Sequence, residues 1–134
     1  MNTRHGMRTL QVGQPGPDRR RLTDLVLAGR KTATARPWEA TRADERLEAV
    51  GERLLLVDSF GRSAAVLEVD AAWLTTLGDV DESFVTADDP NYPTVGAWRT
   101  AVEQKWTATV GPLTDHTPVV CVRFHVVGRD DHDE

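Results

Sequence analysis

Apolar positions along the chain recur at two spacings, one helical and one of strand type. Leu22, Leu25 and Val26 fall at i, i+3, i+4 after Pro17 and Asp18, a pair suited to a helix start; they predict a helix over about Asp18–Ala28, stopped by Gly29, with Arg19, Arg20 and Thr23 facing water. Residues 53–58 and 63–70 read as two strands, and Ser59, Phe60, Gly61 and Arg62 between them make a hairpin turn. Asp79 or Asp81 can cap a short helix through about Ala87, which Pro90 and Pro93 terminate. Thr94 caps a further helix with Val95, Trp98, Val102 and Trp106 at helical spacing. A last strand alternates Val120, Val122, Phe124 and Val126 against Cys121, Arg123 and His125. Residues 37–50 are charged and lack a clear period, and the expectation there is a short helix over Arg42–Glu48 ending near Gly51.

This order does not alternate strand and helix strictly, which argues against a doubly wound parallel sheet. It predicts an α+β domain: a small β-barrel or a strongly curved mixed sheet with flanking helices. Residues 1–16 read as a flexible arm, 17–127 as one domain and 128–134 as an acidic tail. At 134 residues, 40% hydrophobic and 28% charged, the chain suits one self-sufficient core. No apolar run approaches a membrane span and no secretory leader is visible. Cys121 is the only cysteine, which excludes an internal disulfide and sets a cytoplasmic expectation. It alternates with core-facing valines and reads as inert packing. His5, His116, His125 and His132 show no metal-ligand spacing, so neither metal nor cofactor is expected.

The net charge of -5 hides an asymmetry. Residues 1–36 carry eight basic residues against Asp18 and Asp24, a balance of +6, and the remainder of the chain is at -11. Such a segment forms either a local anion site or a solvated helix face. Its unusual part is AGRKTATARPWE, residues 28–39. Lys31, Thr32, Thr34 and Arg36 follow Gly29 closely and are separated mainly by alanines, as if backbone with projecting polar groups approaches a phosphate or a polar heterocycle. The alternative is a polar edge strand beside a turn. Along an ideal strand Thr32, Thr34 and Arg36 share a face that excludes Lys31, so a Lys31–Thr34 pair requires the chain to turn between them.

The runs LVLAGRKTATAR, LLLVDSFGRSAAVLEV, the Trp98–Arg99 pair and VVCVRFHVV together resemble the ASCH domain over roughly residues 17–127, with Gly29, Lys31 and Arg36 in its Gly-x-Lys-x-x-x-x-Arg signature. The resemblance implies a small barrel with helices, related to the PUA RNA-binding barrel, and RNA or nucleotide binding in a cationic cleft lined by the signature. It also implies two enzymatic alternatives, an amidohydrolase that deacetylates N4-acetylcytidine and a ribonuclease. In the amidohydrolase members a lysine, a threonine and a downstream glutamate form the catalytic set; the first two correspond to Lys31 and Thr34. At the glutamate position this chain has Asp88, one methylene shorter, and where relatives tend to have a histidine it has Val102. A displacement of ~1 Å can cost roughly 100-fold in rate. A regulatory or protein-interaction module without chemistry is thus a third reading. Further candidate ligand contacts are Trp38 and Trp98 as stacking surfaces, Arg99 toward a phosphate and Glu68 toward a barrel interior. Core packing is the competing role for Trp98 and Trp106, and solvent exposure the competing role for Arg99 and Glu68.

Overall fold

The computed structural model describes residues 3–40 and 46–129. Its elements are β1 (Thr3–Arg4), β2 (Met7–Leu10), α1 (Pro17–Leu27), β3 (Ala33–Pro37), β4 (Arg53–Val57), β5 (Ser63–Thr76), α2 (Glu82–Asp88), α3 (Val95–Val110) and β6 (Pro118–Arg129). The six strands form one sheet in the order β1-β2-β4-β5-β6-β3. β2 runs parallel to β4, and every other pairing is antiparallel.

The strongly curved sheet is the alternative that fits, and the closed barrel is not adopted: β1 and β3 stand at opposite edges. The long β5–β6 ladder shifts register between Val66 and Leu67 and again between Val69 and Ala71. Such irregularities bend and twist a strand pair, which lets one sheet serve two packing layers. Val120, Val122 and Phe124 of β6 pack with Leu22 and Val26 of α1, Leu54 and Leu56 of β4 and Leu67 and Val69 of β5. On the opposite face, Val119 and Cys121 pack with Phe84 and Val85 of α2 and Trp98 and Val102 of α3. The first part of β6 is therefore buried on both faces, and only near Arg123 and His125 does the alternation expected from sequence appear.

The local signals hold where their partners are near in sequence. Asp81 accepts the Phe84 N–H and Thr94 the Ala97 N–H, capping α2 and α3. Gly29, at φ +76°, turns the chain after α1. Asp58 accepts the Phe60 and Arg62 N–H groups and shapes the β4–β5 hairpin.

Four expectations are corrected. Residues 7–10 are not part of a loose arm: they form β2, whose Arg8–Leu10 pair with Leu54–Leu56 of β4, a contact too distant in sequence for local periodicity to show. β5 continues to Thr76 because β6 pairs along its whole length, and β6 itself reaches Arg129, past the expected tail boundary. Of the expected helix over Arg42–Glu48, residues 42–45 lie outside the described residues and 46–48 are not helical. Thr23, placed toward water by the helical wheel, is buried because the hairpin turn covers that side of α1.

Gly13 shows how tightly the segment before α1 is seated. Its φ is +77°, and a Cβ there would lie 2.7 Å from both Asp18 Oδ2 and Leu22 Cδ1. Gly13→Ala is expected to lower stability by about 1–3 kcal/mol, read as a reduced urea midpoint with an unchanged m-value.

Candidate functional site

The site is assembled around the first residues after α1. The N–H groups of Gly29, Arg30 and Lys31 still bond to carbonyls of Val26 and Leu25, so the chain leaves α1 in a tight turn. Thr32 then bridges two elements: its N–H donates to Ala87 O of α2 and its carbonyl accepts from Phe124 N of β6. Because Lys31 lies in the turn and β3 begins only at Ala33, strand alternation does not separate Lys31 from Thr34. Both side chains line one cleft at the β3 edge of the sheet, between the start of α1 and the inner face of α3.

Lys31 is only 3% exposed, and each of its three ammonium protons has an acceptor. Nζ donates to Ala33 O at 2.6 Å, to Asp88 O at 2.8 Å and to Asp88 Oδ1 at 2.8 Å. The other carboxylate oxygen, Asp88 Oδ2, accepts from Trp98 Nε1 at 2.8 Å. Lys31, Asp88 and Trp98 thus form one buried chain of charge-assisted hydrogen bonds. Trp98 is fully buried between Phe84 and Trp106, edge to face with both. Its indole body packs the core while its N–H holds the cleft carboxylate.

Asp89, beside Asp88, is buried and faces Arg21, which donates to both of its oxygens at 3.3 and 2.9 Å; Asn91 N–H adds a third bond. Burial by itself raises the Asp89 pKa, but the Arg21 and Asn91 hydrogen bonds and the charges of Arg21 and Lys31 outweigh it and hold the pKa below the usual aspartate value. At the mouth, Asp18 Oδ2 accepts Gln14 N–H and stands 3.7 Å from Lys105 Nζ. Tyr92, Val102, Lys105 and Trp106 complete the wall of a cleft of roughly 170 Å³.

The cleft is not the cationic groove expected from the basic segment. Its lining carries Lys31 and Lys105 against Asp88 and Asp89. Arg36 is not brought into it: the guanidinium donates to both oxygens of Glu48 at 2.8 and 3.3 Å. Nor is Arg99, which pairs with Glu103 and Asp115. Glu68 stands on β5 near Arg53, at 3.6 Å, and Trp38 is exposed in the turn after β3. Lys31, Thr34, Asp88 and Trp98 are the sequence candidates brought together, with Val102 beside them. Asp89, Tyr92 and Lys105 were missed; the only sequence trace was the position of Lys105 seven residues after Trp98 on one helical face. Burial pushes the Cys121 thiol up to about 12, so it supplies no thiolate at neutral pH. Among the described residues no cluster of His, Cys, Asp or Glu is arranged to hold a metal ion, and no helix is long and apolar enough to cross a membrane.

Comparison with known proteins places this geometry in a family, since a family model described as the ASCH domain matches residues 9–128. The chain belongs to the ASCH domain family. Among solved structures, this ASCH domain is similar to protein EF3133 from Enterococcus faecalis V583, at 21% identity and a TM-score of 0.78, covering 96% of this chain and 84% of that one. It is similar also to an ASCH domain from Lactobacillus crispatus JV V101, at 16% identity and TM-score 0.77, covering 91% and 80%. The hypothetical protein PH0355 aligns at 11% identity and TM-score 0.59, covering 90% and 97%. At these identities the likenesses speak for the fold. No curated protein matches the chain.

Three outcomes check the site's wiring. Lys31→Met, which leaves the Asp88 carboxylate without its cation, is expected to destabilise by about 3 kcal/mol in equilibrium unfolding. Trp98→Phe keeps the ring packing and removes one donor, and is expected to lose roughly 1–3 kcal/mol. Since the folded Asp89 pKa lies below its unfolded value, its contribution is complete above the unfolded value of ~3.9 and disappears as pH falls through the folded value. Asp89→Asn is expected to flatten the acid limb of a stability-versus-pH curve over that interval, and an unaltered acid limb would refute the pairing.

Proposed function

We propose that the cleft binds one small, uncharged polar molecule of nucleoside type rather than the backbone of a nucleic-acid strand. The carrying observation is that Lys31 has all three ammonium protons engaged inside a cleft whose lining charges cancel. A polyanion gains little there, because the cations already have carboxylate or carbonyl partners. A planar polar ring suits the remaining surface: Tyr92 and Trp106 offer aromatic walls, and the Thr34 hydroxyl can donate or accept. The ASCH membership and the resemblance to nucleotide-binding members point to the same ligand class.

A second reading, deacylation of a modified nucleoside such as N4-acetylcytidine, is favoured by Lys31, Thr34 and Asp88 lining the same cleft. In that reaction Thr34 Oγ1 attacks the acyl carbonyl, the amide C–N bond breaks, the amine leaves with a proton, and water then hydrolyses the threonine ester. With Lys31 Nζ donating to three acceptors, it accepts the threonine proton only after passing one of its own to Asp88 Oδ1. That prior transfer opposes the strong pairing of the two groups and makes binding the better supported activity.

Calorimetric titration separates the readings. Cytidine and N4-acetylcytidine are expected to bind with an affinity that changes less than about 2-fold between low and moderate salt, where several phosphate contacts would cost 10-fold or more. Absence of binding by either nucleoside would refute the proposal. Release of cytidine from N4-acetylcytidine, abolished in Thr34→Ala, would establish the second reading, and activity surviving that substitution would exclude Thr34 as nucleophile.

A further inference from the structure

Ala33 and Ala35 carry a further feature of the cleft in their backbone. In an antiparallel ladder a strand turns its N–H and C=O toward one neighbour at every second residue, and away from it at the residues between. The odd-numbered residues of β6 face β5: Thr117 O accepts Leu77 N–H just before the strand, and the register then runs unshifted from Pro118 to Arg123. The even-numbered residues of β6 face β3, where Phe124 N–H donates to Thr32 O. Thr34 and Arg36, opposite Val122 and Val120, therefore take the ladder bonds of β3. Ala33 and Ala35 point their peptide groups the other way, out of the open edge. Ala33 bears this out, because its carbonyl accepts from Lys31 Nζ on the cleft side.

Two features blunt that edge against strand addition. Lys31 occupies the Ala33 carbonyl, and Pro37 at the other end brings no N–H. One donor–acceptor pair is left, the N–H and C=O of Ala35, and among the described residues no loop or side chain bonds to it. Ala35 lines the cleft beside Thr34. A peptide group directed into a partly enclosed space gains from any partner that satisfies it.

We infer, given a small uncharged ring in the cleft as proposed above, that the Ala35 peptide edge selects it. The ligand presents a donor next to an acceptor in its own plane, the edge of a lactam or an amidine, and extends the sheet by one rung. The cleft walls agree with that orientation. Leu22 belongs to the α1 layer and Trp106 to the α3 layer, so a ring lying in the plane of the sheet meets both walls with its faces. A peptide strand requires several successive rungs, and this edge offers one. Cytidine fits with its ring N3 accepting from Ala35 N–H and its N4–H donating to Ala35 O. Uridine fits with N3–H donating to Ala35 O and a ring carbonyl accepting from Ala35 N–H. The edge therefore demands an unblocked donor–acceptor pair rather than one particular base.

Titration calorimetry with two ligand pairs tests this on wild type. Cytidine is compared with N4,N4-dimethylcytidine, and uridine with 3-methyluridine; each methylated member is uncharged and lacks the donor. Each is expected to bind roughly 10-fold or more weaker than its parent. Ala35→Pro removes the outward N–H, a group outside the ladder, so the edge strand is expected to persist, which circular dichroism and melting check. In that variant cytidine should lose about 10-fold, and the ratio between cytidine and its dimethyl derivative should shrink to within about 3-fold. A merely structural loss would weaken both ligands alike and keep the wild-type ratio, which would overturn the assignment to Ala35. Should Ala35→Pro fail to fold, the wild-type ratios decide alone. Parents and methylated forms binding equally well would overturn the edge and leave the cleft as a binding site. No binding by either parent would overturn the edge together with the occupant it rests on.

Discussion

A single ammonium group joins the elements that make the cleft. Lys31 Nζ reaches the backbone of β3 through Ala33 O, the end of α2 through Asp88 O and the side chain of Asp88, while Trp98 on α3 grips the same carboxylate. An unpartnered charge at that depth would cost several kcal/mol, so each of these acceptors has to be present for the arrangement to be stable. The constraint orients β3, α2 and α3 together. It also explains why the turn after Gly29 is tight: the side chain must enter the protein before the strand begins.

The same constraint sets the chemical character of the site. A lysine with three engaged protons is a fixed dipole source rather than a mobile cation, and the adjacent Asp89–Arg21 pair is equally committed. What the cleft offers a ligand is a hydroxyl, aromatic edges and polar groups in defined positions, with charges already balanced. Discrimination there follows from hydrogen-bond matching, since a ligand that leaves one of these buried groups unpaired forfeits the cost of its desolvation. Surface arginines gathered on Phe60 have the opposite character, being wet, cationic and adaptable. One helix, α1, separates the two environments, with Arg21 turned to one and its neighbour Arg20 to the other.

Burial on both faces of β6 accounts for the layered build. Val120, Val122 and Phe124 meet α1, while Val119 and Cys121 meet α2 and α3. A strand with two packed faces belongs inside a sheet, and β6 accordingly lies between β5 and β3. The short β3 is left at the edge, and a ligand site at a sheet edge has access from both packing layers.

Features carried by neighbours a few residues apart were determined by the sequence alone. The caps at Asp81 and Thr94, the stop at Gly29, the hairpin between residues 57 and 63 and the helical stripe through Trp98 and Val102 depend on spacing and on local hydrogen bonds. The family signature also drew attention to Lys31, Thr34 and Asp88 from residue order. Tertiary structure decided the rest. Which carboxylate meets which cation is a matter of position in space: Arg36 found Glu48, Arg21 found Asp89, and the basic segment was divided among a buried bond network, a cleft mouth and a hairpin tip. The pairing of residues 7–10 with β4 and the open edge beside β3 likewise arise from contacts distant in sequence, whose partners no local pattern specifies.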